Sequence, residues 1–246
     1  MTTKKTKAPT AASAARQRNL LTNLSKHDRD LLFSKCTKIS FKRGDFLFLQ
    51  GTRHAANFLI TSGLVRSFYI SPLGREMTLT YQSTGDLVGG PDFLDEDAEH
   101  IWSAQATDHT TAFMIGGRDF GDIAAQVPAI ARTVIHALSH KLRWESILLQ
   151  TLSTGSVDVR LAYLLLKLSE TFGEDRPEGT VIERHFSHAD LASMVGATRQ
   201  WVSTTLGSFR RKGVVRIGKR RLVIVDKAFL SNVIHKQARS LGKVKA

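Results

Sequence analysis

Between Ser34 and Ile115 a turn-forming cluster recurs every roughly seven to twelve residues, a spacing that favours short antiparallel strands over helices. The clusters are Arg43-Gly44-Asp45, Gln50-Gly51, Ser62-Gly63, Pro72-Leu73-Gly74, Thr84-Gly85-Asp86 and Gly89-Gly90-Pro91. Chain broken this often must bury itself as a sandwich or barrel. In Glu76-Met77-Thr78-Leu79-Thr80-Tyr81-Gln82 alternation predicts Met77, Leu79 and Tyr81 on a buried face and the threonines on a wet one. The runs Phe46-Leu47-Phe48-Leu49 and Phe58-Leu59-Ile60 are apolar throughout and predict strands covered on both sides. The expected architecture over 20–127 is a small double-sheet β-roll.

After Pro128 the period changes. Ile135, Leu138, Leu142, Leu149 and Leu152 recur at heptad spacing, with Glu145 in the vacant position, which predicts a helix over 128–153 and a two-stranded coiled coil between protomers. The same stripe packed on the chain's own β-roll is the alternative. His136 and His140 stand four apart on this helix, but no carboxylate or cysteine accompanies them at a recognisable spacing, so no metal site is expected.

The charge is unevenly placed. Of 35 Lys+Arg and 22 Asp+Glu, giving +13, residues 1–27 hold six basic and no acidic residues, 28–180 hold 15 against 19, and 181–246 hold 14 against 3. A net +11 in the last 66 residues makes a local field suited to a polyanion, with double-stranded DNA the leading partner. The basic ends, 1–19 and 236–246, read as tails, the first disordered. Cys36 is the single cysteine, which excludes a disulfide scaffold and a four-cysteine iron–sulfur or zinc site. It reads as a packed core residue, with a redox-sensing thiol as the alternative. The longest uncharged stretches, 54–65 and 146–157, fall well short of the roughly 20 residues that span a bilayer. The N-terminus lacks the apolar segment of a secretory signal. No membrane contact and a cytoplasmic location are expected.

Within 154–235 the pattern is that of a winged helix-turn-helix. Ser187-His188-Ala189-Asp190 opens a helix with a capping pair, and Leu191, Met194 and Val195 form its apolar face. Gly196-Ala197-Thr198 makes the turn, and Thr198 caps a second helix with a buried stripe of Val202, Leu206 and Phe209. Arg199, Gln200, Ser203 and Thr204 stand on the opposite side at its start, where side chains reach base edges in the major groove. Arginine grips guanine and glutamine grips adenine with paired hydrogen bonds. Val214-Val215-Arg216-Ile217 and Leu222-Val223-Ile224-Val225 frame a basic hairpin, the wing. Its Lys219, Arg220 and Arg221, with Lys212, are expected on phosphates.

The order of parts, and three stretches in particular, resemble the Crp/Fnr family (cyclic-AMP receptor protein / fumarate-nitrate regulator) of bacterial transcription factors from about Leu20 to Leu230. The stretches are residues 41–51 (FKRGDFLFLQG), 83–89 (STGDLVG) and 186–203 (FSHADLASMVGATRQWVS). The resemblance implies an α+β fold: a cyclic-nucleotide-binding-like jelly roll, a long dimerisation helix and a C-terminal winged helix-turn-helix. It places Arg199, Gln200 and Thr204 where the family reads bases, and Ser187, His188, Thr198 and the wing basics where it meets phosphates. A homodimer on a palindromic operator is implied. The family commonly has glutamate at Gln200 and often arginine at Thr204, so the operator sequence itself stays open.

Members that bind cyclic AMP carry a Gly-Glu pair and, some ten residues on, an Arg-Ser/Thr pair. The matching positions here are Gly89-Gly90 and Trp102-Ser103, a degenerate pocket that argues against cyclic AMP, since a buried phosphate lacks its arginine. No cofactor is expected. A haem-dependent gas sensor of the same family stays open, because nine histidines are present and no spacing selects one. A non-specific architectural nucleic-acid-binding protein is the remaining alternative. No paired carboxylates, Gly-x-Ser-x-Gly or phosphate-cradling loop stand out, so an enzyme is not expected. The family mostly activates by touching RNA polymerase, and the Glu174–Gly179 loop is a candidate contact.

Overall fold

The computed structural model describes residues 19–90, 93–95, 97–218 and 221–242, and the backbone alone at 144, 152–154 and 236–242. Two compact units divide the chain between Lys141 and Leu142. Of the expected N-terminal tail only Asn19 lies among the described residues.

The first unit opens with two short helices, α1 (Leu20–Asn23) and α2 (Lys26–Ser34). The Asn19 side chain accepts from the Leu21 and Thr22 amides, and Ser25 accepts from the Asp28 amide, which satisfies donors that a helix start leaves open. Eight strands follow: β1 (Thr37–Phe41), β2 (Phe46–Phe48), β3 (Asn57–Ser62), β4 (Leu64–Ile70), β5 (Glu76–Ser83), β6 (Leu87–Val88), β7 (Ser103–Ala106) and β8 (Thr110–Ile115). They pair antiparallel into two four-stranded sheets, β1-β8-β3-β6 and β2-β7-β4-β5, the double-sheet roll that the turn spacing predicts.

Strand β3 serves two cores. Phe58 and Ile60 face the sandwich interior with Phe41, Phe48, Val65, Val88 and Ala104. Leu59 joins a second core with Leu20, Leu32, Ile115, Phe120, Ile123 and Ile130, from α1, α2, β8, α3 (Gly117–Gln126) and the start of α4 (Pro128–Thr154). Each such side chain stabilises the fold by about 1.5–3 kcal/mol. The half-buried Cys36 packs against this second core. Its thiol donates to Leu32 O at 3.1 Å, and burial, with Asp119 adding to it, pushes its pKa up to about 11, which holds it in the unreactive thiol form.

Two strand expectations fail. Phe46–Leu49 is not covered on both sides: Phe46 is 43% exposed and Leu49 is exposed too. Strand β2 is the edge of its sheet, ends at Phe48 and shifts register between Phe46 and Phe48, so Phe48 is buried and Leu47 packs on the same core only in part. In β5, Met77 is exposed while Thr78 is buried. Ser67 pairs with Thr80 and the next residue, Phe68, with Thr78. Leu79 is thus an extra residue, and the bulge moves the N-terminal half of β5 onto the opposite face.

Pro128 begins α4, where its fixed φ suits a first helical turn. Ile130 is buried, but Ile135, Leu138, Leu142 and Leu149 are 38% to 68% exposed. Within the first unit, neither Ile135 nor Leu138 joins the two cores. The side chain of Leu152 lies outside the described residues.

The second unit contains α5 (Val157–Phe172), β9 (Gly173–Arg176), β10 (Gly179–Ile182), α6 (His188–Val195), α7 (Arg199–Arg211), β11 (Val215–Ile217), β12 (Leu222–Ile224) and α8 (Lys227–Gly242). The segment expected as a loop over Glu174–Gly179 is largely strand: Arg176 pairs with Gly179, leaving only Pro177-Glu178 as the turn. Strand β10 in turn pairs with β12, so the wing is half of a four-stranded sheet, β11-β12-β10-β9. Buried Val181 and Ile182 hold that hairpin to the core. Of the C-terminal tail expected over 236–246, residues 236–242 continue α8, and 243–246 lie outside the described residues. Helix α8 is docked by buried Leu230 and by Phe229, whose ring meets Phe209 edge-on at 6.1 Å.

Candidate nucleic-acid interface

The helix-turn-helix is positioned by local chemistry at each joint. At the start of α6 the Ser187 Oγ accepts from the Asp190 amide at 3.1 Å, and the Ser187 amide donates to the Asp190 carboxylate at 2.8 Å, a reciprocal capping box. Gly196 closes the helix at φ 59°, a left-handed conformation that a side chain disfavours. Thr198 Oγ1 then accepts from the Trp201 amide at 3.2 Å and starts α7. Val202, Leu206 and Phe209 are buried, and so are Leu191, Met194 and Val195, as their spacing predicts.

Two further residues fix this pair, and sequence reasoning missed both. Arg160, on α5, donates from Nη1 to Val195 O at 2.8 Å and to Gly196 O at 3.2 Å. Thr205 donates to Asp158 Oδ1 at 2.6 Å. These contacts tie both helices to α5.

With the packing face so held, Arg199, Gln200, Ser203 and Thr204 are all exposed. A cleft of about 270 Å3 between the starts of α6 and α7 and the wing strands is lined by Ser187, His188, Arg199 and Arg221, together with Arg184 and His185. It unites four sequence-predicted residues and adds two more cationic or titratable ones. The Arg184 guanidinium also lies 4.8 Å from the centre of the Phe172 ring. Lys212 does not line this cleft, and its ammonium lies 5.4 Å from the Phe229 ring centre. Lys219 and Arg220, at the wing tip, are outside the described residues.

At the positions expected to form a degenerate pocket in the β-roll, other chemistry is present. A Cβ on Gly89 would stand 2.3 Å from Asn57 Oδ1, so the buried polar group behind it takes the space of a side chain. Asn57 donates to Phe93 O at 2.8 Å, and its Oδ1 lies 3.2 Å from His54 Nε2. Trp102 is buried in the sandwich core, with the Lys141 ammonium 4.1 Å from its ring centre. Ser103 Oγ accepts from the Gln50 amide at 3.0 Å. His100 stacks on Phe48 at 3.7 Å, and burial, then the neighbouring His54, lowers its pKa to about 4. Gly89, Gly90, Trp102 and Ser103 supply neither a guanidinium for a cyclic phosphate nor a carboxylate for a ribose hydroxyl, and do not fit a cyclic nucleotide held in that way.

Residues 159–233 match the profile of the Crp-like helix-turn-helix domain, and residues 38–127 that of the cyclic nucleotide-binding domain. The cyclic AMP receptor protein of Thermus thermophilus is 29% identical over 214 residues, covering 87% of this chain and 95% of that protein. The chain belongs to the Crp/Fnr family of transcription regulators. Another Crp/Fnr relative, the fumarate and nitrate reduction regulatory protein of Vibrio cholerae, is 24% identical over 193 residues, 78% of this chain and 76% of its own length. The solved structure of a CooA mutant from Carboxydothermus hydrogenoformans shares the fold, with a TM-score of 0.75 at 24% identity over 88% of this chain and 98% of that one. The helix-turn-helix is thus the DNA-binding domain of a Crp/Fnr regulator, and the relatives compared are regulators and not enzymes. No described helix is long and apolar enough to cross a membrane.

Proposed function

We propose that this Crp/Fnr regulator acts in the cytoplasm as a homodimer on a palindromic operator, activating transcription through RNA polymerase. The observation that carries this reading is the exposed quartet Arg199, Gln200, Ser203 and Thr204 at the start of a helix whose opposite face is fully packed. Arg199 and Gln200 read bases by paired hydrogen bonds, Ser203 and Thr204 with less discrimination. Ser187, His188, Thr198, Lys212, Arg221 and the wing-tip Lys219 and Arg220 meet phosphates. The exposed stripe of Ile135, Leu138, Leu142 and Leu149, continued by Leu152, is the dimer seam. Activation is supported by relatives such as the transcriptional activator protein anr of Pseudomonas aeruginosa, 25% identical over 185 residues. The Pro177-Glu178 turn of the β9–β10 hairpin takes the place of the loop as the candidate polymerase contact.

The effector is something other than cyclic AMP, or none, because the side chains at Gly89, Gly90, Trp102 and Ser103 are apolar, absent or already engaged. Selection of bound sequences from a random DNA pool, at about 150 mM salt and without effector, tests the whole reading. A two-fold symmetric motif with half-sites about one helical turn apart is expected. Added cyclic AMP should leave the motif and the affinity unchanged. Replacing Arg199 by Ala should cost roughly 1–3 kcal/mol at one base position and relax the preference there. Equal weakening on every sequence would remove Arg199 from the base-reading set.

A further inference from the structure

Trp201 lies in the middle of the reading quartet and belongs to neither the core nor the set of base readers. It is 58% exposed, whereas its neighbour Val202 is fully buried. An indole left in water on the helix that carries the recognition residues needs an explanation, because such a large ring is ordinarily most of the way inside.

Its position on the helix restricts the choice. The Trp201 amide caps onto Thr198 Oγ1, which sets it in the first turn of α7. With about 100° between successive residues, the buried stripe of Val202, Thr205, Leu206 and Phe209 puts Gln200 and Thr204 on the outward face. Arg199 and Ser203 then lie on one flank of that face, and Trp201 on the other. Helical side chains lean toward the N-terminus, so the indole covers the turn that carries Thr198. The ring stands at the edge of the reading face, beside an expected phosphate contact.

We propose that Trp201 is a groove-wall anchor, packing its ring on a deoxyribose and donating its Nε1–H to a backbone phosphate oxygen. The inference rests on the reading that α7 enters the major groove. Indole has one donor and no acceptor, so it cannot make the paired contacts that distinguish one base from another. The charge carried by the helix as a whole favours a polyanion over a protein partner: Arg199, Arg210 and Arg211 lie on α7, and the cleft on its Arg199 flank is lined by Arg184 and Arg221. A neutral donor releases no counterion, which separates Trp201 from the wing cations.

The test uses the full-length protein and measures affinity for its selected operator and for a duplex lacking the motif, over a range of salt concentrations. Trp201→Ala should weaken both roughly tenfold, about one hydrogen bond plus part of an indole's burial, with the salt slope unchanged. Trp201→Phe should fall between, keeping ring contact without the N–H, and should lose the DNA-induced change in tryptophan emission. Unchanged affinity of Trp201→Ala for an operator the wild type selects overturns the inference alone. So does a loss confined to one base position, or a salt slope lowered by about one. A wild type that selects no motif overturns the operator reading instead, and uniform weakening of Trp201→Ala on unselected DNA would still support the anchor. Thermal unfolding of both variants should match wild type, since the ring is outside the core.

Discussion

At the scale of single residues, Arg160 shows how one side chain sets the angle of a recognition element. Its guanidinium ends on the last carbonyls of α6, satisfying groups that a helix C-terminus leaves open and opposing the negative end of its dipole. Replacing it with Met keeps much of the stem but strips both hydrogen bonds. The expected cost is about 1–3 kcal/mol of unfolding free energy, read as a lower urea midpoint at unchanged slope, with weaker DNA binding on all sequences alike. His100 offers a second residue-scale prediction. Its folded pKa, about 4, lies below the ordinary 6.5, so the unfolded chain binds the proton more tightly. Its contribution to stability is therefore complete above about pH 6.5 and is lost as the pH falls toward about 4. Melting temperatures between pH 7 and 4.5 should drop less steeply in His100→Gln than in the wild type. Equal slopes would assign the acid sensitivity elsewhere. The Ser187–Asp190 cap was legible in the sequence because both partners lie within one turn. The Arg160–Val195 and Asp158–Thr205 contacts were not: 35 and 47 residues separate the partners, and no periodicity encodes them.

At the scale of elements, legibility follows whether a pattern survives insertion. Strand β3 could be read directly, since an uninterrupted apolar run is what a strand between two cores requires. Strand β5 could not, because one extra residue at Leu79 reverses the alternation over half its length and leaves no mark in composition. The β9–β10 hairpin was mistaken for a loop because Gly173-Glu174-Asp175-Arg176 is polar throughout. Cross-strand chemistry holds it: Asp175 accepts from Thr180 at 2.6 Å, and Arg176 pairs with Glu183 at 2.9 Å. The recognition helix was the most legible element, with cap, buried stripe and exposed quartet all written within its own turns. The pocket positions were legible only as missing charges. What replaces them, an Asn57–His54 pair behind Gly89, joins segments more than thirty residues apart that only the folded sheet brings together.

At the scale of the molecule, the exposed stripe of α4 is what the proposed homodimer rests on. Ile135, Leu138, Leu142 and Leu149 leave a row of large apolar side chains in water, and burying each against a partner would contribute about 1.5–3 kcal/mol. Leu142→Glu with Leu149→Glu should convert a dimer into a monomer in sedimentation equilibrium, and should weaken binding to a palindrome far more than to an isolated half-site. A double variant that stays dimeric would place the interface elsewhere.

The C-terminal sheet takes two strands from before the helix-turn-helix, Gly173–Arg176 and Gly179–Ile182, and two from after it, Val215–Ile217 and Leu222–Ile224. The helix-turn-helix is therefore held in its setting from both sides, and exchanging it at Ser187 and Arg211 would also have to restore the contacts that Arg160 and Asp158 make from α5 with Val195, Gly196 and Thr205. For recombination among related regulators, the portable unit is the whole run from α5 through the wing and into α8. New specificities would then spread by point changes on one face of α7 more readily than by transplanting the motif.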